Sequence, residues 1–157
     1  MIFYKFFDHF EEILGSFVLA VMAVVTFVNV VTRYVIVFPL AFTEEVTVNL
    51  FVWIVLLGAS MAFRRNGHLA MGFIYNLLPI FLKKICFYIS MASSILFFAA
   101  LAWLGSIQVM DEIELGVTSD ALAISVAWYS IGVPVFSVLI IMRIVQTGRK
   151  VLRENAF

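Results

Sequence analysis

The chain has 157 residues, 64% hydrophobic and 13% charged, with ten Lys and Arg balanced by ten Asp and Glu. Soluble domains are about half apolar and about a quarter charged, so this composition excludes an ordinary water-soluble fold and indicates an integral membrane protein. The single cysteine, Cys86, allows no intramolecular disulfide and no zinc cluster, and it reads as a small packed residue.

Residues 2–12 place Ile2, Phe3, Phe6, Phe7 and Phe10 at helical spacing, with Lys5, Asp8, His9, Glu11 and Glu12 between them. This pattern suits an interfacial helix at the membrane surface that runs into the first span, or a helix end that only anchors. Asp8, Glu11 and Glu12 in the leader, and the lack of a small-x-small cleavage site before Arg33, argue against a cleaved signal peptide.

Four stretches, about 13–31, 46–63, 85–104 and 121–142, approach the ~20 apolar residues that a ~30 Å hydrocarbon core requires. If they cross in alternating directions, Lys5, Arg64, Arg65, Lys83, Lys84, Arg143, Arg149, Lys150 and Arg153 share one side. Only Arg33 falls on the other. Cations in short loops stay cytoplasmic, so the expected fold is an all-α membrane protein of one domain, 1–157, with four transmembrane helices and both termini cytoplasmic. The outer loops then hold Arg33 against Glu44, Glu45, Asp111, Glu112, Glu114 and Asp120, which makes the outer face acidic.

Between the first two spans, Pro39 predicts an outer-surface elbow. Thr43, Glu44 and Glu45 resemble a helix start, a hydroxyl cap followed by acids that complement the helix dipole. Asn29 and Arg33 share one helical face at this depth, near Glu44, Glu45 and Asn49. An Arg33 pair with Glu44 or Glu45 would tie the elbow together. That cluster reads either as an intrachain staple with snorkelling side chains or as a contact with a partner subunit.

At the inner end of the second span, Arg64, Arg65 and His68 form a cluster suited to setting orientation and meeting lipid headgroups. Residues 69–82 are apolar but are interrupted by Gly72, Asn76 and Pro79 and are too short for a span. They predict an inner-leaflet interfacial helix or a re-entrant turn. Small residues crowd the third span at Ser90, Ala92, Ser93, Ser94, Ala99, Ala100 and Ala102. Gly58 and Ala62 have small-xxx-small spacing in the second, so both helices suggest packing faces, within this chain or against another. Trp103 marks an interfacial depth, whereas Trp53 and Trp128 lie deeper as candidates for interhelix or intersubunit packing. Pro134 predicts a kink in the fourth span. The acids Asp111, Glu112 and Glu114 are either a solvated loop or a patch for a basic partner.

No span carries Asp, Glu, Lys, Arg or His in its central portion. Ionisable groups at mid-membrane are costly and are kept for a task, so their lack argues against a chain that pumps by itself. Only His9 and His68 could ligate haem and both sit near span ends, which argues against a haem-bearing anchor. Without a glycine-rich phosphate loop, nucleophile elbow or metal-binding helix motif, no enzyme is expected. The rival readings are a stand-alone four-helix transporter and the membrane anchor of a respiratory complex.

The order of motifs resembles a known family, the small membrane subunit of tripartite ATP-independent periplasmic (TRAP) transporters. The similar features are NVVTRY closing the first span, Glu44 and Glu45 opening the second, Trp53, LLGAS from Leu56, RRNGH ending at His68, and AWYSIGVPVFSVLIIMR from Ala127. One departure is Phe42, where the family often has tryptophan. The resemblance implies a bacterial inner-membrane subunit that supports a large permease without transporting. A periplasmic binding protein would deliver an organic acid of sialic acid or C4-dicarboxylate type, and sodium would be handled in the large subunit. Membrane lipids are the other expected partner, with no nucleic acid and no cofactor in this chain. Asp111, Glu112 and Glu114 become candidates for docking the binding protein.

Overall fold

The structure, a computed structural model, describes residues 2–37, 40–64 and 79–154, with side chains except those of 2–9, 36 and 154. Helix α1 (Ile2–Val31) takes the expected interfacial segment and the first span in one run. It widens into a π-helical turn, Thr32–Ile36, where the Val37 N–H reaches back to the Thr32 carbonyl. Val37 then adopts a left-handed φ of 56°, which a β-branched residue rarely takes, and the helix stops.

Helix α2 (Ala41–Arg64) begins two residues before Thr43. Thr43 is therefore inside the first turn and its hydroxyl donates to the Leu40 carbonyl, rather than accepting an N–H as the expected cap would. Side-chain hydroxyls in helices commonly back-bond in this way. The elbow's Phe38 and Pro39 lie outside the described residues, as do residues 65–78, which include most of the segment expected to be interfacial or re-entrant.

Helix α3 (Ile80–Glu114) follows Pro79, whose extended backbone suits a helix start. Its 35 residues far exceed the 20 that hydropathy marked, because hydropathy reports where lipid ends and not where the backbone stops being helical. Polar residues such as Gln108 and Glu112 continue the helix, and their side chains bond at 2.8 Å over one turn. The helix ends in a Schellman motif: Val117 N–H donates to Glu112 O (3.1 Å) and Gly116 N–H to Ile113 O (3.2 Å), with Gly116 at φ 61°.

The next segment corrects a sequence-based boundary. Residues 121–126, expected to open the fourth span, form a tight loop closed by an isolated bridge between Thr118 and Ser125. Their polar groups are spent locally: Ser119 N–H donates to Ile124 O, Ala123 N–H to Ser119 O, and Val126 N–H to Val117 O. The helical part starts with α4 (Ala127–Ser130), is interrupted at Ile131, and resumes as α5 (Gly132–Glu154). The interruption falls one turn before Pro134, which supplies no N–H to Ser130 O and would crowd that carbonyl in a straight helix.

The four apolar helical segments are each long enough to cross a membrane. They pack as a row, α1 on α2, α2 on α5, and α5 on α3, rather than as a closed square. The core lies along the two inner helices, with Leu56, Leu57 and Phe63 from α2 against Phe136, Ile140 and Ile144 from α5, and Phe98 from α3 closing it. Leu57 and Ile140 are fully buried. Edge-on aromatic contacts, Phe63 with Phe98 (5.8 Å) and Trp53 with Phe136 (5.7 Å), fix the faces. The edge helices α1 and α3 leave most of their apolar side chains exposed, as lipid or a protein partner requires.

Candidate functional site

Polar contacts gather in two layers, one at each end of the spans, named inner and outer after the orientation that the charge pattern predicts. In the inner layer, Glu11 of α1 accepts from Arg143 Nε of α5 at 2.7 Å, with side chains 1% and 8% exposed. Arg143 also donates to Gln146 Oε1 at 3.1 Å. Beside it, Arg64 at the end of α2 pairs with Glu12. Arg64 was singled out from the sequence, but Glu11, Glu12 and the role of Arg143 were not. The available signal was their position: two acids just before the first span on an otherwise basic side, and an arginine just past an apolar run. Arg65 and His68, expected beside Arg64, lie outside the described residues.

In the outer layer, the expected tie between Arg33 and Glu44 or Glu45 is not made among the described residues. Arg33 and Glu44 are exposed, and Glu45 Oε2 instead accepts from the Ala121 N–H at 3.3 Å. Arg33 lies within the π-helical turn Thr32–Ile36, whose wider winding departs from the straight-helix register assumed from its spacing with Asn29. Asn29 keeps a local role, its carbonyl accepting from Thr32 Oγ1 at 3.0 Å. Asn49 likewise donates within its own helix, to Glu45 O at 2.9 Å.

Trp53 joins α2 to the break before α5, where its indole N–H donates to Tyr129 O at 2.9 Å. A Cβ on Gly132 would collide with that indole, so glycine is required by space. Pro134 lies against α3 at Gly105, where an added Cβ would meet Pro134 Cδ at 3.2 Å and Val133 Cγ1 at 3.1 Å. Neither Gly132 nor Gly105 was chosen from the sequence, where nothing distinguishes them from Gly58. Gly58 itself faces open space, with nothing within 4 Å of an added Cβ.

Most of the small residues noted in α3 face away from this chain's core, whereas Ser94 and Ala102 are half-buried. Ser90, Ala92, Ser93, Ala99 and Ala100 are exposed, while Met91, Ile95, Phe98 and Leu101 make the packing. Within this chain α3 makes its close approach to α5 at Gly105, while its exposed face mixes small residues with large ones such as Leu96, Phe97 and Trp103. Cys86, expected to be packed, is exposed on the same helix. Trp103 and Trp128 are 71% and 73% exposed, which makes Trp128 a lateral surface residue rather than an internal packing one.

Of the three acids proposed for docking, Asp111 and Glu114 are exposed. Glu112 is committed internally, its Oε1 accepting from Ser130 Oγ at 2.9 Å and from Gln108 Nε2. It ties α3 to α4.

Residues 22–154 match the profile of the family described as tripartite ATP-independent periplasmic transporters, DctQ component. The chain is 34% identical over 93 residues to the C4-dicarboxylate TRAP transporter small permease protein DctQ of Vibrio cholerae, covering 59% of this chain and 40% of that protein. It is 39% identical over 79 residues to a putative TRAP transporter small permease protein of Haemophilus influenzae, covering 50% of this chain and 49% of that protein. A third relative, the sialic acid TRAP transporter permease protein SiaT of Haemophilus influenzae, is 27% identical over 161 residues, covering 98% of this chain and 26% of that protein. The aligned parts thus span half or less of each relative's length. Because the family match covers most of the helical row, the chain belongs to the DctQ family of TRAP transporter membrane components, a family of transport components and not of enzymes.

Proposed function

We propose that the chain is the small membrane subunit of a sodium-driven TRAP system of the bacterial inner membrane that takes up an organic acid, and that it braces a large permease without carrying solute. The observation that carries this reading is the placement of charge within the family fold. The described acids and bases of the helices lie toward the two ends of the spans or beyond them, and the deepest, Glu11 and Arg143, are matched to each other, so that among the described residues the apolar stretch between the layers holds no ionisable group outside a pair. An ion-coupled carrier keeps such groups at mid-depth, so sodium and substrate handling belong to the larger partner.

The open row supports the same reading, since its broad apolar faces offer area to a neighbour within lipid. The SiaT relative adds support: a region similar to nearly the whole of this chain makes up about a quarter of that longer permease protein. Nine cations at one end against Arg33 at the other favour cytoplasmic termini. The substrate is a sialic acid or a C4-dicarboxylate, the two classes for which the relatives are named. A periplasmic binding protein docks transiently at the outer acids, with Asp111 and Glu114 as the free members.

The test is to purify the tagged chain in mild detergent from cells that also express a large TRAP permease subunit of the same organism, then to reconstitute each alone and together. The reading expects copurification, uptake only with the permease present, and no uptake by the isolated chain. Solute accumulation driven by this chain alone would refute it.

A further inference from the structure

We propose that the Glu11–Arg143 pair is an intramembrane clasp that holds α1 in the row, and that α1 is detachable without it. The proposal stands apart from the choice of substrate or partner. Three observations lead to it.

The first is connectivity. Helix α1 packs extensively on α2 alone, yet Glu11 reaches past α2 to Arg143 on α5. The contact therefore joins two helices that are not neighbours in the row. In lipid, apolar surface does not drive helices together, because acyl chains cover it equally well, so an edge helix needs some other fastening.

The second is burial. The Glu11 and Arg143 side chains are 1% and 8% exposed, far more buried than the Arg64–Glu12 pair, at 20% and 34%. Charges that deep persist only when they are matched, and removing one leaves the other stranded.

The third is depth. Gly148 of α5 lies level with Met91 of α3, since a Cβ on that glycine would come within 2.7 Å of Met91 Sδ. Arg143 lies five residues further toward the outer layer. Lys84 comes seven residues beyond Met91 in the other direction, about 10 Å along the helix axis. The clasp thus sits at a depth where α3 still carries its uncharged run, residues 85–110, and exposes Ile85, Tyr88 and Ile89. A charge pair placed there is costly unless it has a task, and the geometry supplies one.

The experiment reads the α1–α2 contact directly. Gly15 and Met61 approach each other one turn from the clasp, the methyl of Met61 lying 3.6 Å from a Cβ on Gly15. Cysteines at these two positions, in a Cys86→Ser background, are cross-linked in native membranes. Glu11→Gln and Arg143→Gln are each expected to lower the cross-linking yield at least five-fold, and the exchanged pair Glu11→Arg with Arg143→Glu to restore most of it. Single variants that cross-link as the parent does would overturn the proposal. Should the single variants fail to accumulate as monodisperse helical protein, the exchanged pair decides: recovery of folding and cross-linking supports the clasp, and failure to recover refutes it.

Discussion

The indole N–H of Trp53 donates to the main-chain carbonyl of Tyr129 at 2.9 Å, so a side chain in the middle of α2 satisfies a backbone acceptor where the last span is interrupted. A helix broken before Pro134 leaves carbonyls short of donors, and in an apolar medium such a group is costly to leave unmatched. Replacing the indole by a benzene ring should therefore weaken the junction of α2 with α4 and α5. Trp53→Phe is expected to lose about 1 kcal/mol of stability, read as a lower unfolding temperature in detergent. Gly132→Ala should cost more, about 1–3 kcal/mol, because its Cβ would fall on the indole. A Gly132→Ala protein as stable as the parent would contradict this close approach.

Gly105 sets the spacing of α3 from α5. Its hydrogen faces Val133 and Pro134 at distances where a methyl is tight and a larger group cannot fit. Gly105→Ala should be mildly destabilising, and Gly105→Leu should push the helices apart and expose Phe98 to solvent or detergent. Quantitative proteolysis of the two variants would rank them, with Leu well below Ala.

Gly116 differs in kind, since nothing lies within 4 Å of an added Cβ but its φ is 61°. Only conformational cost is at stake. Gly116→Ala is expected to destabilise by about 1 kcal/mol, with Gly116→Asn better tolerated, because asparagine visits the left-handed region more readily. Equal stability of the Ala and Asn variants would show that the loop absorbs the change.

The outer acids divide into two groups with separable effects. Asp111 and Glu114 are exposed, so Asp111→Asn combined with Glu114→Gln should leave stability within about 0.5 kcal/mol. If they meet a basic binding protein, uptake by the full system should fall several-fold, and more at low salt than at high. Glu112→Gln should instead lower stability, because Glu112 accepts from Ser130 and Gln108. Unchanged uptake in the Asp111/Glu114 variant at every salt concentration would remove these residues from docking.

Helix number among the described residues and the grouping of charges toward the two ends of the spans were legible in the sequence, because each follows from composition over about twenty residues. Boundaries set by local hydrogen bonding were not. Ala121–Val126 is apolar enough to be read as membrane-embedded, yet its backbone closes a loop locally through Ser119 and is tied by Ala121 N–H to Glu45, 76 positions away in sequence. The site showed the same division. Trp53 was identifiable because a buried indole needs a partner, whereas the partner, a carbonyl of Tyr129, leaves no mark in the residue types. Small residues on α3 pointed to packing but could not say which of them meets a helix of this chain: Gly105 does, while Ser90, Ala92, Ser93, Ala99 and Ala100 are exposed. Glu11 and Arg143 lie 132 positions apart, and only the fold brings them together.

The unequal apolar lengths of the edge helix α3 and the inner helix α2 have a mechanical corollary. From Ile85 to Met110, α3 is uncharged for about 39 Å, while the corresponding stretch of α2, Val46 to Phe63, measures about 27 Å. A single flat bilayer matches both only if the longer helix leans or the surrounding lipid thins toward the shorter one. Whatever lies alongside this protein therefore meets either a leaning α3 or a bilayer that grows thinner from the α3 margin toward α2.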